Sequence, residues 1–239
     1  MMKEFIKGII KKIPIAFTKN QQYDAQTTKV LQRVLSERAN AVDIGCHKGE
    51  MLDEILKFAP KGEHYCFEPI PNFYEALPAR YPTNCHFYQL GLSDEKGETN
   101  FNYVITNPAY SGFQKRQYDK ANEQDTLITV KTDLLDAVIP NDVQIDFIKI
   151  DVEGAEYQVL RGAINTLNRC KPIVVFEHGL GAADVYGTRP EHIFDLFKDC
   201  DMRISTMKKW LDGDVGFTRS EFIAQFEQSK NYYFIAYAE

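Results

Sequence analysis

The stretch Asn40-Ala41-Val42-Asp43-Ile44-Gly45-Cys46-His47-Lys48-Gly49 is a short apolar run that ends in glycine and continues as D-x-G-x-x-x-G. An apolar run of this length, closed by glycine, predicts a buried strand over about 40–45. The following MLDEILKFA (51–59) has helical spacing, so the glycines sit where a strand hands over to a helix. Downstream, HYCFEP (64–69) reads as a second strand stopped by Pro69, NFYEALPARY (72–81) as a helix broken near Pro78, and HFYQLGLS (86–93) as a third strand. Residues 145–154 (IDFIKIDVEG), 172–179 (PIVVFEHG), 202–207 (MRISTM) and 231–238 (NYYFIAYA) supply strands four to seven. Helical patterns lie between them at 155–167, with Val159, Leu160, Ala163, Ile164 and Leu167 on the buried face, and at 192–200. Strand and helix alternate, which is the pattern of a parallel sheet covered on both sides. The expected fold is α/β: a Rossmann-like, seven-stranded, mostly parallel sheet with helices on both faces. Its antiparallel last strand is expected to form a hairpin or near-hairpin with the sixth.

Two further strands are read at 99–106 and 126–132, separated by a polar, aromatic-rich loop over 107–125. A loop of that length is either functional or mobile. It carries Tyr110, Phe113, Arg116 and Tyr118, types that suit a ring face or an anionic group. Upstream, 25–38 has helical spacing, and residues 25–239 are read as one catalytic domain behind an extension over 1–24.

That extension stands apart in charge. Residues 1–20 hold five lysines and one glutamate in a chain whose net charge is −6. Phe5, Ile6, Ile9, Ile10 and Ile13 share one helical face. A basic amphipathic helix over 1–17 either packs on the domain or a partner, or lies on an anionic membrane surface. No apolar run reaches the roughly 18 residues of a membrane span, and no signal-peptide cleavage site follows. The expected location is the cytoplasm, with peripheral contact at the inner membrane surface as the alternative. Overall acidity argues against a nucleic-acid partner. Five cysteines without a C-x-x-C pair are not a disulfide framework. Cys46-His47 and Cys85-His86 do not read as zinc pairs, because neighbours on a strand point to opposite faces.

Four groups of residues carry chemistry. Asp43, Gly45, Cys46, His47 and Gly49 form the first turn, where ligands of open α/β sheets bind and where glycines let backbone approach closely. The helix N-terminus that follows favours a carboxylate, and Asp43 can answer an ammonium, the two charges of the methionine tail of S-adenosylmethionine. Glu68 ends the second strand, where an acid accepts hydrogen bonds from ribose hydroxyls. Lys48 stands where a dinucleotide fold has its central glycine, which leaves a pyrophosphate little room. In Ile148-Lys149-Ile150-Asp151-Val152-Glu153-Gly154-Ala155-Glu156, Lys149 and Asp151 point to one face of an otherwise apolar strand, and charges there are rarely buried unpaired. Glu153 is expected at the N-terminus of the next helix. Glu177-His178-Gly179 ends strand five, where a carboxylate and a histidine converging on the cleft of Asp151 are acid–base candidates, His178 foremost.

Together Val42-Asp43-Ile44-Gly45, Phe67-Glu68-Pro69, Leu92-Ser93-Asp94, the Lys149–Glu156 run and Val159-Leu160-Arg161-Gly162-Ala163 resemble the FkbM family of methyltransferases. The resemblance runs from about Ala41 to Glu177. It implies S-adenosylmethionine as cofactor, Glu68 on its ribose, Ser93 near its adenine, and methylation of a small-molecule hydroxyl such as that of a sugar. An alcohol must lose a proton as it is methylated, so Asp151, Glu153 and His178 are the expected bases. No metal is expected, since no third ligand can be named beside Asp151 and Glu153. The rival readings are a nicotinamide-dependent oxidoreductase, disfavoured by the missing glycine, and a non-catalytic cofactor-binding scaffold.

Overall fold

The computed structural model describes residues 18–118 and 122–238; the amphipathic helix read over 1–17 lies outside them. Strands β1 (Ala41–Ile44), β2 (His64–Phe67) and β3 (Cys85–Tyr88) run parallel and step to one side. The chain then leaves the sheet through β4 (Gly91–Leu92), β5 (Gly97–Val104) and β6 (Asp125–Asp133). It returns on the other side of β1 as β7 (Phe147–Ile150) and β8 (Ile173–Glu177), both parallel, and ends with β9 (Met202–Ser205) and β10 (Tyr233–Ala238). The order of the seven-stranded sheet is β3-β2-β1-β7-β8-β10-β9, with β10 antiparallel to both neighbours. The expected class holds. The last two strands are adjacent and antiparallel, but helices Met207–Asp212 and Arg219–Glu227 intervene, so they form no hairpin.

Two expected elements divide. The run 86–93 is two strands: β3 stays in the main sheet, while β4 pairs with β6 in a separate three-stranded sheet, order β4-β6-β5. The pattern at 155–167 is two helices, Glu156–Arg161 and Ile164–Cys170. The break falls at Gly162, where a Cβ would stand 2.1 Å from the Ser93 carbonyl oxygen. The helix expected over 25–38 spans Lys19–Val34, opened by a capping box of Thr18 and Gln21.

Each face of the sheet has its own core, set by the two-residue period of strands. Val42, Ile44, Ile148, Ile150, Val174, Phe176 and Phe234 pack against the helices over 156–170 and 190–199 and against Phe222. Ala41, Phe147, Val175 and Ile235 face the other way, onto Val30 and Leu31 of helix Lys19–Val34 and Ile55 of helix Glu50–Phe58. This second face, continued toward the carboxyl ends of its strands, carries the charged residues. Among the described residues, no helix is long and apolar enough to cross a membrane.

Candidate active site

Successive strands step outward in opposite directions from β1 and β7, so a crevice opens at their carboxyl ends. A cavity of ≈ 320 Å³ occupies it. Its floor follows from register. Asp43 pairs with Lys149, and Glu177 with Tyr233, so these side chains share the face that packs on helix Lys19–Val34. That helix covers the crevice with Tyr23, Asp24 and Thr27.

The first turn is built around Gly45, which has φ +80°. A Cβ there would lie 2.0 Å from the Asp151 carbonyl oxygen, so the ends of β1 and β7 close together only over a glycine. Asp43 is 2% exposed and its Oδ2 has no hydrogen-bond partner in the protein. Burial pushes its carboxyl up to about 7, with Lys149 pulling the other way. Cys46 and His47 line the cavity, whereas Gly49 lies behind it, its carbonyl accepting from the Tyr81 hydroxyl at 3.0 Å. The Cys46 side chain packs with Cys66 and Cys85 in a small core. The His47 ring meets Phe73 edge to face, with centroids 4.3 Å apart.

Glu68 is buried at the end of β2 and ties two loops together. Its Oε2 accepts the His47 N–H at 2.8 Å and its Oε1 the Ile70 N–H at 2.8 Å. Burial raises its carboxyl above the ordinary range, and the two backbone donors oppose the rise. Ser93 does not line the cavity: its N–H donates to the Asp133 carbonyl and its hydroxyl to Asp94, because the chain is already turning into the second sheet. Leu90, Gly91 and Leu92 supply the wall at that point.

Lys149, Asp151 and Tyr233 form a bonded group. Lys149 Nζ and the Tyr233 hydroxyl both donate to Asp151 Oδ2, at 3.0 and 2.6 Å. Burial works against the Asp151 charge, but Lys149, Tyr233 and Glu177 together hold its carboxyl below the usual range. Glu153 does not start the next helix. It sits in a tight turn at φ +58°, a strained conformation for a glutamate, and its carboxylate pairs with Arg116. Burial, then the Asp151 charge, push Glu153 upward, against the pull of Arg116. The helix begins at Glu156, whose buried carboxylate accepts the N–H groups of Val152 and Gly154 at 3.3 and 3.1 Å.

The structure does not bring His178 to this group. Glu177 continues the cleft face of β8, so His178 takes the opposite face, with Val174 and Phe176. Its ring lies against Phe226 and Phe222, at 4.7 and 6.0 Å, and neither ring nitrogen has a partner. Burial lowers its pKa to about 4. The third carboxyl of the cluster is Glu177: oxygens of Asp151, Glu153 and Glu177 all lie within 4.8 Å of one another. That supplies the third ligand the sequence reading lacked, at a spacing a divalent cation accepts. Lys149 and Arg116 already bring positive charge to two of the three.

The 107–125 loop is held rather than loose over its described part. Ser111 Oγ accepts the Val104 N–H at 2.9 Å, Gly112 pairs with Asn102, and the Gln114 N–H donates to the Tyr186 hydroxyl at 3.0 Å. Pro108, Ala109, Ser111 and Phe113 line the cavity, and Arg116 stacks on Tyr110 at 4.4 Å. Tyr23, Thr27 and Tyr233 were not singled out as site residues from the sequence, whereas Glu177 was, beside His178. The pairing of β8 with β10 is the signal that finds Tyr233 beside Glu177.

A cleft at this switch point, with an acid at the end of β2 and acids and a lysine along its floor, is the site of a Rossmann-like methyltransferase. A family model described as Methyltransferase FkbM domain matches residues 43–204, and the chain belongs to that family. The protein 2-O-methyltransferase NoeI of Sinorhizobium fredii (strain NBRC 101917 / NGR234) is 25% identical over 197 residues, which is 71% of this chain and 72% of that protein. A solved FkbM methyltransferase from Methylobacillus flagellatus KT shares the fold, with a TM-score of 0.51 and 16% identity. The match covers 85% of this chain and 44% of that one, so the chain spans under half the length of that protein.

Proposed function

We propose that the protein transfers a methyl group from S-adenosylmethionine to a hydroxyl of a small molecule, a sugar or a saccharide-containing acceptor. The observation that carries the reading is the distribution of charge in the ≈ 320 Å³ cavity. Glu68 stands at the β2 end, and Asp43, Lys149 and Asp151 stand at the β1–β7 end. A nucleoside with a short zwitterionic tail has that distribution of polar groups. The unpartnered Asp43 Oδ2 is a buried acceptor facing a cavity, which suits an ammonium or a bridging water. Oxygen as the acceptor atom is supported by the relative named as a 2-O-methyltransferase.

When bound, the cofactor supplies an electrophilic methyl group on a sulfonium. The chain's own residues hold and orient. Glu68 has lone pairs left after its two backbone bonds, and these suit ribose hydroxyls. Asp43 faces the tail. Lys149 and Tyr233 fix the Asp151 carboxylate at the reacting end, so that the acceptor meets a preset geometry. Phe101 and Phe113 meet edge to face at 5.7 Å on the side of the second sheet, giving an apolar wall for the adenine or for a sugar face.

The test is isothermal titration with S-adenosylmethionine, S-adenosylhomocysteine and NAD, followed by a screen of methyl glycosides for S-adenosylhomocysteine release. Binding of the first two ligands, with turnover on a hydroxylated acceptor, is expected. Binding of NAD alone would overturn the reading.

A further inference from the structure

Helix Lys19–Val34 turns one face inward, with Tyr23, Thr27, Val30 and Leu31 at helical spacing. Val30 and Leu31 pack on the sheet, while Tyr23 and Thr27 line the large cavity. The Tyr23 ring is fixed from outside that cavity. Its hydroxyl donates to Asn231 Oδ1 at 3.1 Å and accepts the Tyr232 N–H at 3.4 Å. Neither Asn231 nor Tyr232 lines the cavity, so what Tyr23 presents there is its ring. Burial raises the phenol above its ordinary range, and the ring stays neutral. Tyr232 meets it edge to face with centroids 4.9 Å apart, and Tyr233 at a tilt, 5.2 Å away.

The neighbouring groups at this end of the cavity are already engaged. Lys149 and Tyr233 bond Asp151, and Arg116 pairs with Glu153. Lys149 Nζ also stands over the Tyr233 ring at 4.6 Å, and Lys19 Nζ over the Tyr232 ring at 5.9 Å. Among the described residues, no lysine or arginine stands over Tyr23. Phe67 puts its ring in the core of the opposite face, stacked on Tyr88, and Phe101 and Phe113 belong to the second-sheet side. An aromatic ring without a cation therefore faces the cavity at the same end as the Asp151 carboxylate.

A sulfonium is a cation with no N–H or O–H to donate, so hydrogen bonds do not select it. An aromatic face attracts such a cation through the ring quadrupole, and more strongly where water is excluded. Resting on the reading of the large cavity as the site of S-adenosylmethionine, we propose that Tyr23 is a cofactor-binding residue whose ring recognises the sulfonium. The residue thereby sets the preference for the cofactor over S-adenosylhomocysteine. Contacts to the nucleoside and to the amino-acid tail serve both molecules alike, and a preference between them needs a group that senses what differs. What differs is a methyl group and a positive charge. After transfer the sulfur is neutral, the attraction of the ring is lost, and the product is held less tightly than the cofactor that entered.

The test needs no acceptor. The full chain is titrated calorimetrically with S-adenosylmethionine and with S-adenosylhomocysteine, and the ratio of the two affinities is compared across variants. Tyr23→Phe keeps the ring and should keep the wild-type ratio. Tyr23→Leu should lower the ratio about tenfold, almost all of it through S-adenosylmethionine. Tyr232→Leu removes a neighbour of the ring from outside the cavity and should move both ligands together. Phenylalanines with successively fluorinated rings at position 23 keep the size and drain the π-density. Affinity for S-adenosylmethionine should fall stepwise along that series while affinity for S-adenosylhomocysteine stays level, and the series decides where Tyr23→Leu does not fold. An unchanged ratio in Tyr23→Leu, an equal loss of both ligands, or a flat fluorination series would each overturn the proposal. Failure of the wild type to bind either ligand sinks the cofactor reading itself, which is a distinct outcome.

Discussion

Glu68 offers the sharpest test of how the first turn is held. In Glu68→Gln one oxygen can still accept a backbone N–H at 2.8 Å, but the new amide NH₂ faces the other. Hydrogen bonds to charged groups contribute about 1.5–3 kcal/mol each, and an orphaned buried donor costs about 1–3 kcal/mol. Against this, the substitution removes a carboxylate that burial disfavours, since the Glu68 pKa is already raised. The net loss is therefore about 2 kcal/mol, or roughly 4–8 °C in Tm for a domain of this size. Chemical denaturation and a thermal melt measure it in the absence of any ligand. The same variant loses both the loop geometry and the proposed ribose acceptor, so affinity for S-adenosylmethionine should fall at least about tenfold, or about 1.4 kcal/mol. A stability change within about 0.5 kcal/mol, the range of surface substitutions, would refute the claim that Glu68 ties the β1 loop to the β2 end.

His178→Phe should bind S-adenosylmethionine as the wild type does, because the ring lies among phenylalanines on the far face of the sheet. Its folded pKa of about 4 lies below its ordinary value of 6.5. The unfolded chain therefore binds the extra proton between those values, and stability falls as pH drops through that window. The wild type should lose roughly 3 kcal/mol there that the variant keeps; parallel stability curves for the two proteins would contradict this placement. Gly45→Ala forces a Cβ to within 2.0 Å of the Asp151 carbonyl at a φ of +80°. It should destabilise by about 2–4 kcal/mol and abolish cofactor binding, and a well-folded variant with normal affinity would show that the strand ends are not so closely joined. Arg116→Ala removes the partner of Glu153 and the stack on Tyr110. Limited proteolysis should then cut within 107–125 faster than in the wild type, and an unchanged digestion pattern would mean that Ser111, Gly112 and Gln114 hold the loop without it.

What the sequence could and could not disclose follows from which information is local. The turn after β1, the acid after β2 and the lysine–aspartate pair of β7 are legible because each is an exception to an apolar run, and such exceptions need a partner or a use. The division of 155–167 is not legible. Its apolar positions keep helical period straight through Gly162; at the break the Gly162 carbonyl accepts the Asp136 N–H and the Asp136 carboxylate caps the next helix at Asn165 and Thr166, contacts that come from far back in the chain. Leu90, Gly91 and Leu92 likewise extend the β3 pattern without a gap, and only the pairing of Gly91 and Leu92 with Thr132 and Asp133 puts those two in the second sheet.

The exchange of His178 for Glu177 makes the same point at the site itself. Alternation assigns the two residues to opposite faces of β8, but PIVVFEH is apolar on both faces up to Phe176, so composition does not say which face is the cleft. The answer lies in the ladder. Lys149 is in register with Asp43 on one side and Val175 on the other, and Glu177 with Tyr233. Because partners across a sheet share a face, fixing Lys149 on the cleft side fixes Asp43, Val175, Glu177 and Tyr233 there, and sends His178 to the phenylalanines. Which of the two residues reaches the carboxylate cluster is thus a property of strand register. A one-residue slip of β8 would replace the glutamate with a histidine that has no bonded partner.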